Sequence, residues 1–233
     1  MESIVQGIYE ATRLIVSRDP AVMEVVGLTL FVSGTATVVS VVVGVPLATL
    51  IALTDFPGRT LLVSLINVGM GMPPVLVGLV VALLLWRSGP LGALGLIYTP
   101  AAMIAAQAII ALPLVTGLGL AALQQLDPRL RLQLLGLGAS RAQMVVALLW
   151  EARLAMLAAV MAGFGAAISE VGASIMVGGN IAHQTRVLTT AIVLETAKGE
   201  FALAMALGTV LFLLAWLVTL VLTTLQQRAG LPR

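Results

Sequence analysis

The sequence predicts an all-α protein that crosses a membrane several times, and three observations carry that prediction. Of its 233 residues, 60% are hydrophobic and only 9% are charged, with a mean hydropathy of +1.12. A water-soluble domain carries about 25% charged residues, so this chain cannot cover a surface that faces water. Its apolar residues gather into runs of about 20 residues or more, the length a helix needs to cross hydrocarbon. Between the runs lie Pro, Gly and charged residues, which mark turns. The expectation is five core transmembrane helices (residues 21–226), preceded by an N-terminal helix (1–20) and followed by a short tail (227–233).

Residues 2–18 place Ile4, Val5, Ile8, Leu14, Ile15 and Val16 at roughly helical spacing among polar groups. That pattern predicts an amphipathic helix lying on the membrane rather than a sixth span. Asp19-Pro20 ends it, and Ala21 to Leu53 is the first span, with Pro46 expected to kink it. Thr54 to Arg59 is a turn. The second span, about 60–86, carries Gly69-Met70-Gly71-Met72-Pro73-Pro74 at its centre. Two prolines there remove two backbone donors. Such a break survives at membrane depth only if neighbouring helices fill it or it walls a water-filled pathway, and both readings stay open for Met72, Pro73 and Pro74.

Arg87-Ser88-Gly89-Pro90 closes the second span, and the third runs from about Gly95 to Leu126. A basic stretch, Asp127 to Glu151, follows. It holds Arg129, Arg131 and Arg141 yet keeps Leu130, Leu134, Leu137, Val145, Leu148 and Leu149 at helical spacing. Leu137-Gly138-Ala139-Ser140 interrupts it with a Gly and a residue suited to capping the next helix. Helix, turn, helix is the reading, lying on the membrane surface; it either docks a partner or only anchors the adjoining spans. The fourth span is expected at about 152–177, with a small-residue packing stripe at Ala158, Ala162 and Ala166. Residues 178–199 look too polar to span, and the last span covers about 201–226.

Five spans put the hairpin and the C-terminus on one side. That side holds seven Arg residues against five Lys and Arg on the other, which places the hairpin in the cytoplasm. The net charge of +2 sits in short loops as a topology signal, so nucleic acid is not an expected partner. With no Cys and one His, neither a metal site, a cofactor nor a nucleophile–base pair is expected, and no G-x-x-x-x-G-K-[ST] phosphate loop occurs. Glu170 is the one acid deep in the fourth span. An intramembrane carboxylate is a functional candidate, although snorkelling or pairing at a helix contact is the reading preferred here.

The hairpin centre, Gly138-Ala139-Ser140-Arg141 with Leu137 before it, resembles the EAA loop of bacterial ATP-binding-cassette importer permeases. Leu132 stands where that loop often has Glu, and Trp150-Glu151 where Leu-Pro is usual. Gly44-Val45-Pro46-Leu47-Ala48, Met72 through Gly78, Gly89-Pro90-Leu91-Gly92 and Glu170 through Asn180 are similar to the molybdate, sulfate and tungstate permeases. Thr185 through Ile192 and Glu195 through Phe201 look most like the tungstate group. The resemblance implies a type I importer fold in a bacterial or archaeal cell membrane. It also implies a homodimer, a separate cytoplasmic ATPase that binds ATP and Mg and docks on residues 137–141, and an extracytoplasmic oxyanion-binding protein. A tetrahedral dianion would favour hydroxyls or backbone donors, which makes Ser169, Ser174, Thr185 and Thr189 candidates, with Glu170 supporting a gate. Molybdate or sulfate is the alternative cargo. An ion-coupled secondary transporter would need paired intramembrane charges and a repeat, which the sequence does not offer.

Overall fold

The computed structural model describes residues 2–230, and among them are eleven α-helices and no strand. In chain order these are α1 (Glu2–Val16), α2 (Pro20–Leu53), α3 (Arg59–Met70), α4 (Pro74–Leu85), α5 (Pro100–Gln124) and α6 (Pro128–Gly136). There follow α7 (Arg141–Glu151), α8 (Arg153–Ile168), α9 (Gly172–Gly178), α10 (Leu188–Ala197) and α11 (Phe201–Gly230). Three of them, α2, α5 and α11, are each long and apolar enough to cross a membrane, and the number reaches five if each of two sharply bent pairs, α3 with α4 and α7 with α8, counts as one span.

The centre of the bundle is the contact between α2 and α5. Small residues set it: a Cβ added to Gly44 would lie 2.9 Å from Thr116 Oγ1, and Ala48 packs against Gly119. Ser40 Oγ lies 2.8 Å from its own-helix Ala36 carbonyl and 3.1 Å from the Ala108 carbonyl of α5. On the other side of α5, Gly163 of α8 meets Val115 so closely that a Cβ would sit 2.6 Å from Cγ2. The buried small-residue stripe on α8 is therefore Ala159, Gly163 and Ala167, while Ala158 is exposed. This corrects the expected stripe by one residue. Only the stripe that starts at Ala159 lets the backbone of α8 touch α5, and close approach is what small residues provide in a bundle without a hydrophobic driving force.

Asp19 and Pro20 start α2. Asp19 Oδ1 accepts from the N–H groups of Ala21 (3.0 Å) and Val22 (3.2 Å), while Pro20 sits in the first turn, where its missing donor costs nothing. Beyond that start α2 continues as helix through Pro46. At 15 residues, or about 22 Å, α1 is shorter than a bilayer's hydrocarbon core; it packs along α11, with Gly7 against Met205. At the other end α11 continues to Gly230, past the expected boundary at 226, and residues 231–233 of the expected tail lie outside the described residues.

One further expectation needs correction. The fourth span is not continuous to Val177: α8 stops at Ile168 and a short α9 begins at Gly172. The segment 178–199 holds no helix of spanning length, yet its middle is buried. Leu188, Thr189, Thr190 and Ala191 of α10 are buried, and Leu188 and Ala191 join Val22, Leu207 and Val210 in one apolar cluster. Its polar side chains are accommodated because they bond to the protein itself, as set out below.

The second span is broken as the prolines require. Helices α3 and α4 meet at 103°, with Gly71, Met72 and Pro73 between them. The pair still runs from one end of the bundle to the other. Arg59 Nε donates to the Ile51 carbonyl near the end of α2 (2.9 Å), and Val81 and Leu85 pack with Ala102 and Met103 at the start of α5. Along the way Gly78 crosses α9 with no room for a side chain: a Cβ would lie 2.5 Å from Ala173 Cα. Gly78→Val should therefore lower stability by about 1–3 kcal/mol through overpacking, read as a lower thermal midpoint in detergent. Gly34→Ala, with open space around it, should leave the midpoint unchanged or slightly raised.

Candidate functional site

The hairpin α6–α7 is built by its own turn chemistry. Asp127 caps α6 through a 2.8 Å bond from the Arg129 N–H, with Pro128 in the first turn. At the other end of α6 the backbone closes in a Schellman motif: Ala139 N–H donates to the Leu134 carbonyl, and Gly138 N–H to that of Leu135, each at 3.0 Å. This needs a left-handed residue at 138, and Gly138 has φ of +79°. Ser140 then opens α7 with a reciprocal capping box. Its Oγ accepts from Gln143 N–H (3.3 Å), and Gln143 Oε1 accepts from Ser140 N–H (2.8 Å). Capping by Ser140 was legible from sequence, whereas the part played by Gln143 was missed.

Two faces of α7 do different things. Met144 and Leu148 are buried, and with Ala152 and Met156 they pack on Ala122 and Leu123 at the end of α5. The opposite face carries Ala142, Val146 and Trp150 around a shallow apolar hollow. Leu137 at the turn is 85% exposed and Trp150 is 69% exposed, with Arg141 also exposed. Leu137 thus projects outward instead of continuing the inward apolar stripe that its spacing implied. The Arg153 guanidinium lies 5.1 Å from the Trp150 ring centroid and donates to the Trp150 carbonyl at 2.8 Å, which fixes the ring's base. A cleft of about 820 Å³, lined by Pro46, Leu50, Arg131 and Arg141, separates the hairpin from the end of α2. The inner side of the hairpin is held against α5 and α8, and Ala52 and Leu53 at the end of α2 pack against the same cluster beside the cleft.

The second candidate region is where the two broken helices meet. Val75 and Gly78 of α4 lie against Gly172 and Ala173 of α9, which sets the break at 71–73 beside the break at 169–171. Met72 is half-buried, while Pro73, Pro74 and Ser169 are exposed. Ser169 donates to the Gly165 carbonyl at 2.7 Å. Glu170, expected to snorkel to water or to pair at a helix contact, is buried and pairs with the backbone at the start of α9. It is 6% exposed, has no ion pair among the described residues, and its Oε1 accepts the Ala173 N–H at 2.8 Å. The carboxylate replaces a backbone partner that the break removed.

The other candidate hydroxyls also turn inward. Thr189 Oγ1 donates to the Glu170 carbonyl (2.9 Å), and Ser174 Oγ accepts from Gln107 Nε2 (3.1 Å). Thr185 Oγ1 donates to the Gly178 carbonyl (2.5 Å) and accepts from Ile181 N–H (3.0 Å). Ser174, Thr185 and Thr189, the candidate oxyanion contacts, are all buried and bonded within the protein. Thr185 fastens the non-helical segment 179–187, together with Thr29, which accepts from Leu188 N–H (2.9 Å), and with Asn180 and Thr190, while Ser174 ties α9 to α5 and Thr189 ties α10 to the break before α9. Asn180 and Thr190 lie within the stretches of sequence that resemble the permease group but were not among the candidate site residues. Asn180, at φ of +51° after two glycines, was the available signal.

Asn67 and Ser64 of α3 were missed as well. Both are polar, both are exposed, and both lie in an otherwise apolar span just before the 71–73 break. Among the described residues no group of three or more His, Asp or Glu side chains could hold a metal ion.

No protein-family model matches the chain. A tungstate uptake system permease protein, TupB of Peptoclostridium acidaminophilum, is 38% identical over 227 residues, covering 97% of this chain and 100% of that relative. A probable anion ABC transporter permease protein of Haloferax volcanii is 40% identical over 197 residues, covering 82% of this chain and 85% of the relative. In fold, a chain of the MetNI methionine ABC transporter in an inward-facing conformation superposes with a TM-score of 0.73 at 17% identity. That match covers 91% of this chain and 97% of the other.

If Glu170 acts as an acceptor for α9, then Glu170→Gln should keep the thermal midpoint near wild type. Glu170→Leu should lower stability by about 1–3 kcal/mol, because the Ala173 N–H is left buried and unpaired. Thermal unfolding of the two variants in one detergent separates these outcomes.

Proposed function

The chain belongs to the permease subunits of ATP-binding-cassette importers, with the type I importer fold in a multi-pass membrane protein, and from that premise we propose that it forms the transmembrane pathway of a tungstate importer. The full-length similarity to a tungstate uptake permease supports the choice of cargo. Two copies of the chain would enclose the pathway. The exposed apolar residues Leu61, Leu65, Val68, Leu79 and Leu83 on α3 and α4 offer a surface for that contact.

The observation that carries the reading is the hairpin. A docking element needs apolar surface that its own spans leave uncovered, and the outer side of α7 offers such a surface. Its inner face is fixed on α5, while Leu137, Ala142, Val146 and Trp150 face outward for a cytoplasmic ATPase, with Gly138, Ala139, Ser140 and Arg141 shaping the tip. ATP and Mg would be bound by that partner, and an extracytoplasmic binding protein would deliver the oxyanion at the opposite face. The chain itself acts as a transport subunit and carries out no reaction.

The geometry supplies a route for coupling. Helix α7 passes into α8 through the single residue Ala152 at a bend of 71°, and α8 ends, about 24 Å further on, at the paired breaks. Movement of α7 by the ATPase would be delivered to the junction of α4 and α9, where Pro73, Pro74 and Ser169 are exposed. Alternation of access there needs only that the two nucleotide states of the ATPase favour different positions of α7.

A mild-detergent purification of the tagged chain should recover a soluble ATP-binding subunit in equal amount; recovery of the chain alone, transporting without nucleotide, would overturn the reading. Gly138→Val places a β-branched residue at φ of +79°, a backbone conformation strained by about 1–2 kcal/mol. It should abolish ATPase association and tungstate uptake while the protein still inserts in the membrane. Unchanged ATP-dependent uptake by this variant would remove the coupling role from the turn.

A further inference from the structure

One exposed face of α3 is out of place in a membrane span. Thr60, Ser64, Asn67 and Gly71 recur at positions i, i+4, i+7 and i+11, so they fall in one line along the helix, and all four are exposed. The adjacent line, Leu61, Leu65 and Val68, is exposed and apolar. One helix thus presents two unlike stripes to its surroundings.

The side chains of Thr60, Ser64 and Asn67 have no hydrogen-bond partner among the described residues. Several hydroxyls in the spans close back on their own helix, as Thr37 does on the Ser33 carbonyl, Thr49 on Val45 and Thr116 on Leu112. An Asn side chain cannot do so, and facing lipid it would leave an amide unsatisfied at a cost of several kcal/mol. Polar side chains at such depth face a water-filled cavity or a bundle interior. The stripe also leads somewhere. It runs for about 16 Å from Thr60, at the hairpin end of the bundle, to Gly71, where the two helix breaks meet.

Resting on the importer reading above, we propose that Thr60, Ser64 and Asn67 line the cytoplasmic half of the oxyanion pathway and donate hydrogen bonds to the passing dianion. The stripe contains no acid to repel the ion and no free base to hold it. The cation at its start, Arg59, donates its Nε–H to the Ile51 carbonyl. Neutral hydroxyl and amide donors suit a segment in which an ion must be bound strongly enough to enter and weakly enough to leave. The apolar stripe beside it faces the second copy.

The chain contains no Cys, so single-cysteine variants test this without altering the background. In the assembled importer, in inside-out membrane vesicles, Ser64→Cys and Asn67→Cys should react with an anionic, water-soluble methanethiosulfonate at least about tenfold faster than Leu65→Cys and Val68→Cys, and millimolar tungstate should slow them. All four inert, or the apolar pair reacting as fast, would overturn the stripe. Asn67→Leu should raise the KM for tungstate uptake about tenfold while ATPase association stays normal. Uptake by wild type with an unchanged KM in Asn67→Leu would overturn the proposal and leave the importer reading intact. Absence of ATP-driven uptake in wild type would sink the importer reading itself, and tungstate protection of Asn67→Cys would then decide the stripe alone.

Discussion

Every departure from straight helix in this protein answers to one constraint: a backbone amide or carbonyl buried away from water must find a partner inside the protein. Among the described residues, helical bonding stops inside the bundle at 71–73 and 169–171, and again along 179–187, whose two ends are buried. At the second, Glu170 takes the N–H of Ala173 and Thr189 serves the Glu170 carbonyl. At the third, Thr185 serves the carbonyl of Gly178, Tyr98 N–H serves Val177, and Thr29 accepts the amide of Leu188. Side chains that resemble a solute-binding set in sequence are largely occupied in replacing lost helix bonds. What remains unoccupied and exposed, Asn67 and its neighbours on α3, stands out against that background.

Satisfying those groups requires the elements to come close, and small residues make that possible. Gly44 and Ala48 on α2, Gly119 on α5 and Gly163 on α8 set the spacing of the inner bundle, while Gly78 brings α4 onto α9. These contacts are made by backbone against side chain, so they hold the breaks in register with each other. A pathway built from broken helices needs such a scaffold, since a loose one would let lipid or water reach the unpaired carbonyls.

Much of this was legible in the residues. Two adjacent prolines with flanking glycines could only break α3 from α4, and Asp19-Pro20, Asp127-Pro128 and Ser140 each announced a helix start. The hairpin followed from Gly138 and from charges that no span could carry. Three things were not legible, each for a physical reason. The break before α9 is written in Ser169-Glu170-Val171, which contains neither Pro nor Gly and reads as continuous helix. Burial of α10 was hidden because its polar residues resemble surface residues until their partners, Asn180 and Thr29, are known from the fold. The stripe on α8 was misplaced by one residue because Ala158, Ala162 and Ala166 show the same four-residue spacing as Ala159, Gly163 and Ala167, and only contact with α5 chooses between them.

The bend at Ala152 has a mechanical consequence. Met144, Leu148, Ala152 and Met156 repeat every fourth residue straight across it, and all four pack into the same cluster on α5. The joint between α7 and α8 is thus braced on its inner side and behaves as a bell crank, which turns a push along one arm into a swing of the other, and not as a slack hinge. Such a lever tolerates conservative changes of side chain but not of length. One residue inserted at 152 would rotate Met156 by about 100° away from its seat while leaving Met144 in place, and the stroke of α7 would no longer reach α8. Insertions and deletions, more than substitutions, are what this elbow forbids.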